Sequence, residues 1–270
     1  MLGCSAARFA YSNGETLTYW WLDRYVGFDH SQSQMVKTDL ANLFAWHRRT
    51  QLQGYVQFLK QAQHRIHAGV TEADLQNDYK DIKKHVLVLT EKALPALADL
   101  ALALHPDQID NIEKKFASNN EEYRKDYLRG NLEKRQRYRY KKVLHQAEHW
   151  FGNFSPEQQR QIRALSDARP LNNELVLADR IQRQAALIAL LRKIQSEKPG
   201  REAAMAMIRN HVVAFLDRSS GSDHKEFFDA FRAGTIHLAV AIANGATPAQ
   251  KHHFVKTTQR WIDDFNALSH

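Results

Sequence analysis

An all-α fold is predicted for this chain, an elongated antiparallel bundle of about nine or ten helices, and three observations predict it. Apolar residues recur at intervals of three and four along most of the 270 residues, which is the period of helices with one face in a core. Turn-making residues are few, with eleven glycines and six prolines, against about 7% and 5% of an average chain. A β-sandwich, a barrel or a glycine-looped nucleotide fold needs more of both. Third, helix-opening phrases stand along the chain. Ser155-Pro156-Glu157-Gln158 and Thr247-Pro248-Ala249-Gln250 each set a hydroxyl at the N-cap, proline at the first helical position and glutamine at the third. The hydroxyl accepts the third residue's amide proton while the glutamine reaches back, and proline gives up an amide that had no partner.

The elements follow in order. Tyr19, Trp20, Trp21 and Tyr25 cluster here, with Trp20, Trp21 and Tyr25 read as rings pinning the first helix into the core and a membrane or protein interface as the cluster's second use. Phe28-Asp29-His30-Ser31-Gln32 is a looser opening phrase, and a periodic stripe covers 40–66. Val70-Thr71-Glu72-Ala73-Asp74 opens 75–104, and Leu104-His105-Pro106-Asp107-Gln108 opens 109–128. A helix over 132–151 precedes the short one opened by Ser155. Asp167-Ala168-Arg169-Pro170 ends that helix and is the place where a single helical domain, 14–270, would subdivide. In 171–193 the stripe is Leu175, Val176, Ala178, Ile181, Ala185, Ile188 and Leu191, running on to Ile194. Further stripes cover 203–216, 227–242 and 252–268. Between the first two, Ser219-Ser220-Gly221-Ser222 reads as a turn, with Asp223 as cap and Glu226 at the third position. The phrases recur at irregular intervals, so no fixed-period solenoid is expected. No alternating strand pair with a hairpin dipeptide occurs.

Hydrophobic residues make up 43% and charged residues 25%, a globular balance with no apolar run near the ~18 residues of a membrane span. The net charge of +8, with fourteen histidines besides, favours anionic partners. A single cysteine excludes an intramolecular disulfide framework and cysteine-rich zinc modules. No P-loop, G-x-G-x-x-G, G-x-S-x-G or EF-hand loop is present, and no cofactor is expected.

Two stretches carry chemistry. Between Arg124 and Lys142 basic residues crowd, interleaved with Tyr127, Tyr138 and Tyr140. Arg124, Lys134, Arg135, Arg137, Arg139, Lys141 and Lys142 are the candidate binding face. Its targets are anionic lipid, lipopolysaccharide phosphates or acidic protein segments. Nucleic acid is the less favoured alternative, since no zinc-finger spacing, RNP motif or helix-turn-helix accompanies the charge. His145-Gln146-Ala147-Glu148-His149 matches H-x-x-E-H. His145 and His149 share a helical face and would bind zinc with Glu148 as general base, the weak metal candidates behind a hydrolase alternative.

Cys4 stands in Gly3-Cys4-Ser5, which resembles the end of a bacterial lipoprotein signal, with the cysteine as acylated anchor in an N-terminal segment, 1–13. The apolar-Ser/Thr-Pro-x-Gln phrase resembles the repeated motif of Spy/CpxP-type periplasmic chaperones, all-helical proteins that shield unfolded clients without ATP. Further phrases resemble an uncharacterised family of proteobacterial predicted lipoproteins: Phe9-Ala10-Tyr11-Ser12-Asn13, Tyr19-Trp20-Trp21-Leu22-Asp23-Arg24-Tyr25, Trp46-His47-Arg48-Arg49 and Asn119-Asn120-Glu121-Glu122-Tyr123-Arg124. These resemblances imply a periplasmic location, attachment to the outer membrane through Cys4, a non-enzymatic binding or chaperone-like role, and envelope proteins or unfolded clients as partners.

Overall fold

The computed structural model describes residues 11–217 and 224–269. Cys4, and the turn expected at 219–222 with its cap Asp223, lie outside the described residues. Eleven α-helices and no strand occur among the described residues. They are α1 (Gly14–Val26), α2 (His30–Thr50), α3 (Leu52–Ala68), α4 (Glu72–Ala103), α5 (Pro106–Tyr123), α6 (Leu132–Phe151), α7 (Pro156–Ala168), α8 (Asn173–Glu197), α9 (Arg201–Leu216), α10 (Lys225–Asn244) and α11 (Pro248–Leu268). One π-helical turn, Arg124–Leu128, follows α5.

The extra helix comes from the 40–66 stripe, which is two helices. Val36 and Leu40 are buried in α2, and Leu52, Val56 and Ile66 in α3. At 100° per residue these two sets point roughly 140° apart. A straight helix cannot bury both, so the chain restarts at Gln51, whose carbonyl accepts from the Gly54 and Tyr55 amides at 3.0 and 3.3 Å.

Packing gathers the chain into two compact units, each built from three separated segments. Met1–Arg48, Lys83–Leu128 and Asn173–Ser220 form the first, and Arg49–Ile82, Arg129–Asn172 and Gly221–His270 the second. The first unit has aliphatic cores: Leu94, Ala98, Ala101, Ile194, Ala204 and Ile208 in one cluster, Val26, Leu104, Ile109, Ile112 and Ile188 in another. The second is aromatic. Phe151 and Phe154 are buried, Phe151 stacks on Phe254 at 5.2 Å, and Trp261 meets Phe265 at 5.7 Å. There α3 packs along α11, and the Gln63 amide donates to the Val255 carbonyl at 3.2 Å and the Thr258 hydroxyl at 3.0 Å.

Four of the helix-opening phrases are joined in pairs. In the first unit the Gln32 amide nitrogen donates to Gln108 Oε1 at 3.0 Å, and the Gln108 nitrogen to Gln32 Oε1 at 2.6 Å. In the second, Gln158 and Gln250 exchange the same two bonds at 2.8 and 3.1 Å. Every one of these glutamines also accepts from its own N-cap amide, that of Asp29, His105, Ser155 or Thr247, at 2.8 to 3.1 Å. Each then donates to the carbonyl two residues before its partner's cap: Ala103, Gly27, Gly245 or Asn153. A side-chain amide has two donors and two acceptor sites, and all are filled. This allows Gln32, Gln108 and Gln250 to be buried without an unmet polar group. Gly27 sits in the left-handed region at φ 71° and ends α1, which turns its carbonyl toward Gln108.

One expectation is corrected. Trp20 and Trp21 do not pin α1 into the core: they are 58% and 57% exposed, with Leu17 at 48%. The face of α1 that packs on α5 carries Tyr25 and Val26 instead, and Tyr25 meets Phe116 edge-on at 5.9 Å. An indole counts as apolar in a periodic pattern, but Leu17, Trp20 and Trp21 share one exposed stripe of the helix, on the side away from buried Val26.

Candidate functional site

The first unit contains a groove of about 250 Å³. Val36, Leu40 and Leu43 of α2 form one wall, at a spacing that places them on one face. Ala93, Ala96, Leu97 and Leu100 of α4 form the other, and Leu22 of α1 closes it. Room exists because α4 offers small side chains here and carries Pro95 in its interior. Proline has no amide to donate and displaces the backbone of the preceding turn.

The rim is charged. Arg201 holds Asp99 through two bonds of 2.7 Å, from Nε and Nη2. Lys92 stands 6.0 Å from the Trp46 ring. Asp39 lines the groove beside this pair, and burial, followed by the charge of Asp99, pushes its carboxyl above the usual value. An apolar trough with carboxylate and guanidinium groups at its edge can seat one or two apolar side chains and orient the polar chain that carries them.

Phrases quoted for the lipoprotein resemblance tie helices of the first unit together. The Tyr11 hydroxyl bonds His47 Nδ1 at 2.6 Å, and Arg48 meets Glu15 at 3.0 Å. Asn119 donates to the Tyr25 hydroxyl at 2.7 Å. Asn120 accepts from Arg180 at 3.0 Å and donates to Gln184 at 2.8 Å, tying α5 to α8.

The basic stretch is divided between the two units. Arg124 belongs to the first unit and pairs with Glu121 at 2.5 Å. Lys134, Arg135, Arg137, Arg139, Lys141 and Lys142 lie on α6 in the second. Between them Gly130 takes a positive φ of 84°, and the Asn131 side chain accepts from the Lys134 amide at 3.1 Å to start α6 afresh. Lys134, Lys141 and Lys142 are exposed, Lys142 standing 4.9 Å over the Tyr138 ring. Arg139 turns inward. It donates to the carbonyls of Ser166, Arg169 and Pro170 at 2.7, 3.1 and 2.8 Å and so caps the end of α7. Next to it, buried Arg169 bonds the Thr235 hydroxyl at 3.2 Å and faces the Phe231 ring. Burial first, then repulsion from Arg139, brings Arg169 down to about 10.

His145 and His149 are exposed on the same side of α6 as Lys134, Tyr138 and Lys141. Among the described residues no group of three or more His, Cys, Asp or Glu is placed to hold a metal ion. No helix of the described residues is long and apolar enough to cross a membrane.

Sequence reasoning missed the groove and its residues Asp39, Asp99 and Arg201. The available signal was Pro95 within the alanine-rich run 93–103, where a helix keeps its stripe but loses bulk.

The family model described as a family of unknown function, DUF6279, matches residues 24–212. That is well over half of the chain, which therefore belongs to this family. The matched span holds the phrases ending in Gln32, Gln108 and Gln158 and every groove residue but Leu22. No curated protein and no solved structure matches the chain, and the likeness to Spy/CpxP-type chaperones rests on the helix-opening phrase alone.

Proposed function

We propose that this member of a family of unknown function is a non-enzymatic binding protein of the bacterial envelope, periplasmic and tethered to the outer membrane through acylated Cys4. Its groove between α1, α2 and α4 takes apolar side chains of unfolded or partly folded clients, without nucleotide and without covalent chemistry. The observation that carries this reading is the pairing of an apolar floor with a charged rim: Leu40, Leu43, Ala96 and Leu100 below, Asp39, Asp99 and Arg201 above. Apolar anchors supply affinity in such a site, while the rim charges select the backbone and flanking residues that accompany them. The exposed lysines of α6 add an early, salt-sensitive attraction for acidic client segments.

The test is a light-scattering assay of a chemically unfolded client at low salt, with the wild-type chain and an Ala96→Phe variant that fills the groove on a strong helix. The wild type is expected to delay aggregation at near-stoichiometric amounts and the variant to lose most of that delay while keeping its helical circular dichroism. Equal behaviour of the two, or no delay by either, overturns the groove as a client site. The anchor is tested separately, by the intact mass of the N-terminal peptide from the full gene in its native host. Acyl chains on Cys4 are expected; an unmodified thiol removes the tether.

A further inference from the structure

The exposed side of α1 and the neighbouring stretch of α5 form a second surface, separate from the groove. Leu17, Trp20, Trp21 and Arg24 follow the i, i+3, i+4, i+7 spacing and so lie on one stripe. The first three are about half exposed or more. Two indoles and a leucine side by side in solvent are an unusual arrangement, since large rings normally bury most of their area. The stripe ends in charge. Trp21 packs against Tyr25 at 5.0 Å, and Tyr25 lines an open cleft of about 370 Å³ together with Arg24, Asn111, Lys114, Lys115 and Ser118. Asp23 is the one carboxylate on its wall, and its Oδ1 is engaged by the Phe28 amide at 2.8 Å. Three cations thus face one carboxylate already bound to backbone, with an amide and a hydroxyl beside them.

We propose that this α1–α5 face binds the surface of an anionic phospholipid bilayer, Trp20 and Trp21 entering the interface while Arg24, Lys114 and Lys115 hold headgroup phosphates. The order along the surface matches what an interface requires. Amphipathic rings sit at headgroup level with apolar Leu17 beside them, and cations stand at the polar edge, where phosphates lie. An acidic protein would complement the cations but gives no reason for two exposed indoles in line with them. A neutral apolar partner would account for the indoles and leave the cluster of cations unused. The bilayer surface uses both.

This surface does not rest on the client-binding reading or on acylation. The experiment therefore uses the full chain as Cys4→Ser, floated with vesicles of phosphatidylcholine alone or with phosphatidylglycerol. Association with the mixed vesicles, weakened between 50 and 500 mM salt, is expected, and little with phosphatidylcholine alone. Trp20→Ala/Trp21→Ala is expected to weaken it about tenfold. Arg24→Gln/Lys114→Gln/Lys115→Gln is expected to weaken it about a hundredfold at low salt, at roughly tenfold or less per cation near an anionic surface. Both variants alter exposed or half-buried side chains, and retained helical circular dichroism confirms that each folds. Lys134→Gln/Lys141→Gln/Lys142→Gln serves as the comparison on α6. The proposal is overturned if the parent chain does not float with anionic vesicles at low salt, which leaves the face to a protein partner. It is also overturned if the α6 variant loses binding while the two α1–α5 variants keep it.

Discussion

The two units of this chain are closed by the same device and differ in what they leave open. Each has a pair of helix starts locked by reciprocal glutamines, Gln32 with Gln108 and Gln158 with Gln250, with each amide's four bonding positions filled. Around that shared lock the second unit packs rings and turns Arg139 inward onto the end of α7 and Arg169 onto Thr235 of α10. The first has small and aliphatic cores, a groove, and two indoles in solvent. The lesson is one of separation. Buried amide pairs define how helices meet, so the remaining faces of the first unit are free to be shaped for contact with other molecules.

The sharpest way to break this likeness is to remove one glutamine from each unit. Gln108→Leu leaves the His105 amide and the Gly27 carbonyl without their side-chain partner and removes two of the four bonds of the Gln32 amide, and a loss of about 3 kcal/mol is expected. Gln250→Leu should cost about as much. Amide exchange read helix by helix is expected to place the first loss in the first unit and the second in the other. A small effect of either substitution would mean that the two pairs are alike only in geometry.

Next in size is Arg139→Met, which keeps the apolar stem but frees the carbonyls of Ser166, Arg169 and Pro170. About 2 kcal/mol is expected, confined to the second unit and measured by urea unfolding followed through Trp150 and Trp261 emission.

A smaller effect separates the units by pH. His47 and His211, both in the first unit, have imidazoles held below the usual value by burial, with His85 adding repulsion at His47. In the unfolded chain such groups take up protons below about pH 6.5. Folded, they resist, so protonation favours unfolding. Their contribution is fully present above that pH and lost as the pH falls through the lower folded values. Thermal midpoints at pH 7.5 and 5.5 should fall in acid, and His47→Gln/His211→Gln should flatten that difference. Arg169 in the second unit stays charged over this range. The smallest expected effect is Lys134→Gln/Lys141→Gln/Lys142→Gln, within about 0.5 kcal/mol of the parent by urea unfolding. These side chains are exposed on α6, and a larger change would show that this ridge supports the fold.

What the sequence revealed follows the reach of its signals. Cap, proline and third-position glutamine lie within four residues, so the starts of α5, α7 and α11 are legible directly. The pairing of the glutamines is not, because the partners stand 76 and 92 positions apart. The division of the basic stretch between the units is not legible either: Gly130 and Asn131 reset the chain between Arg124 and Lys134, and charge alone carries no sign of a break. Ile181 was placed on the apolar stripe of α8 and is 38% exposed, whereas Asp179, one turn from Arg183, is buried and paired with it at 3.2 Å. The groove needs small residues on α4 opposite α2, a coincidence between segments half a hundred positions apart that no single window contains.

The threading of the chain sets an order of assembly. Gln63 on α3 meets Val255 on α11, 192 positions later. A chain emerging from its amino end releases α3 long before the helix that covers it, and Gln158 likewise waits for Gln250. The first unit has its last cluster residue, Ile208, well before that point. The α3 surface thus remains uncovered through most of synthesis, and that of α7 until its last part, an interval in which a holding factor would have something to hold.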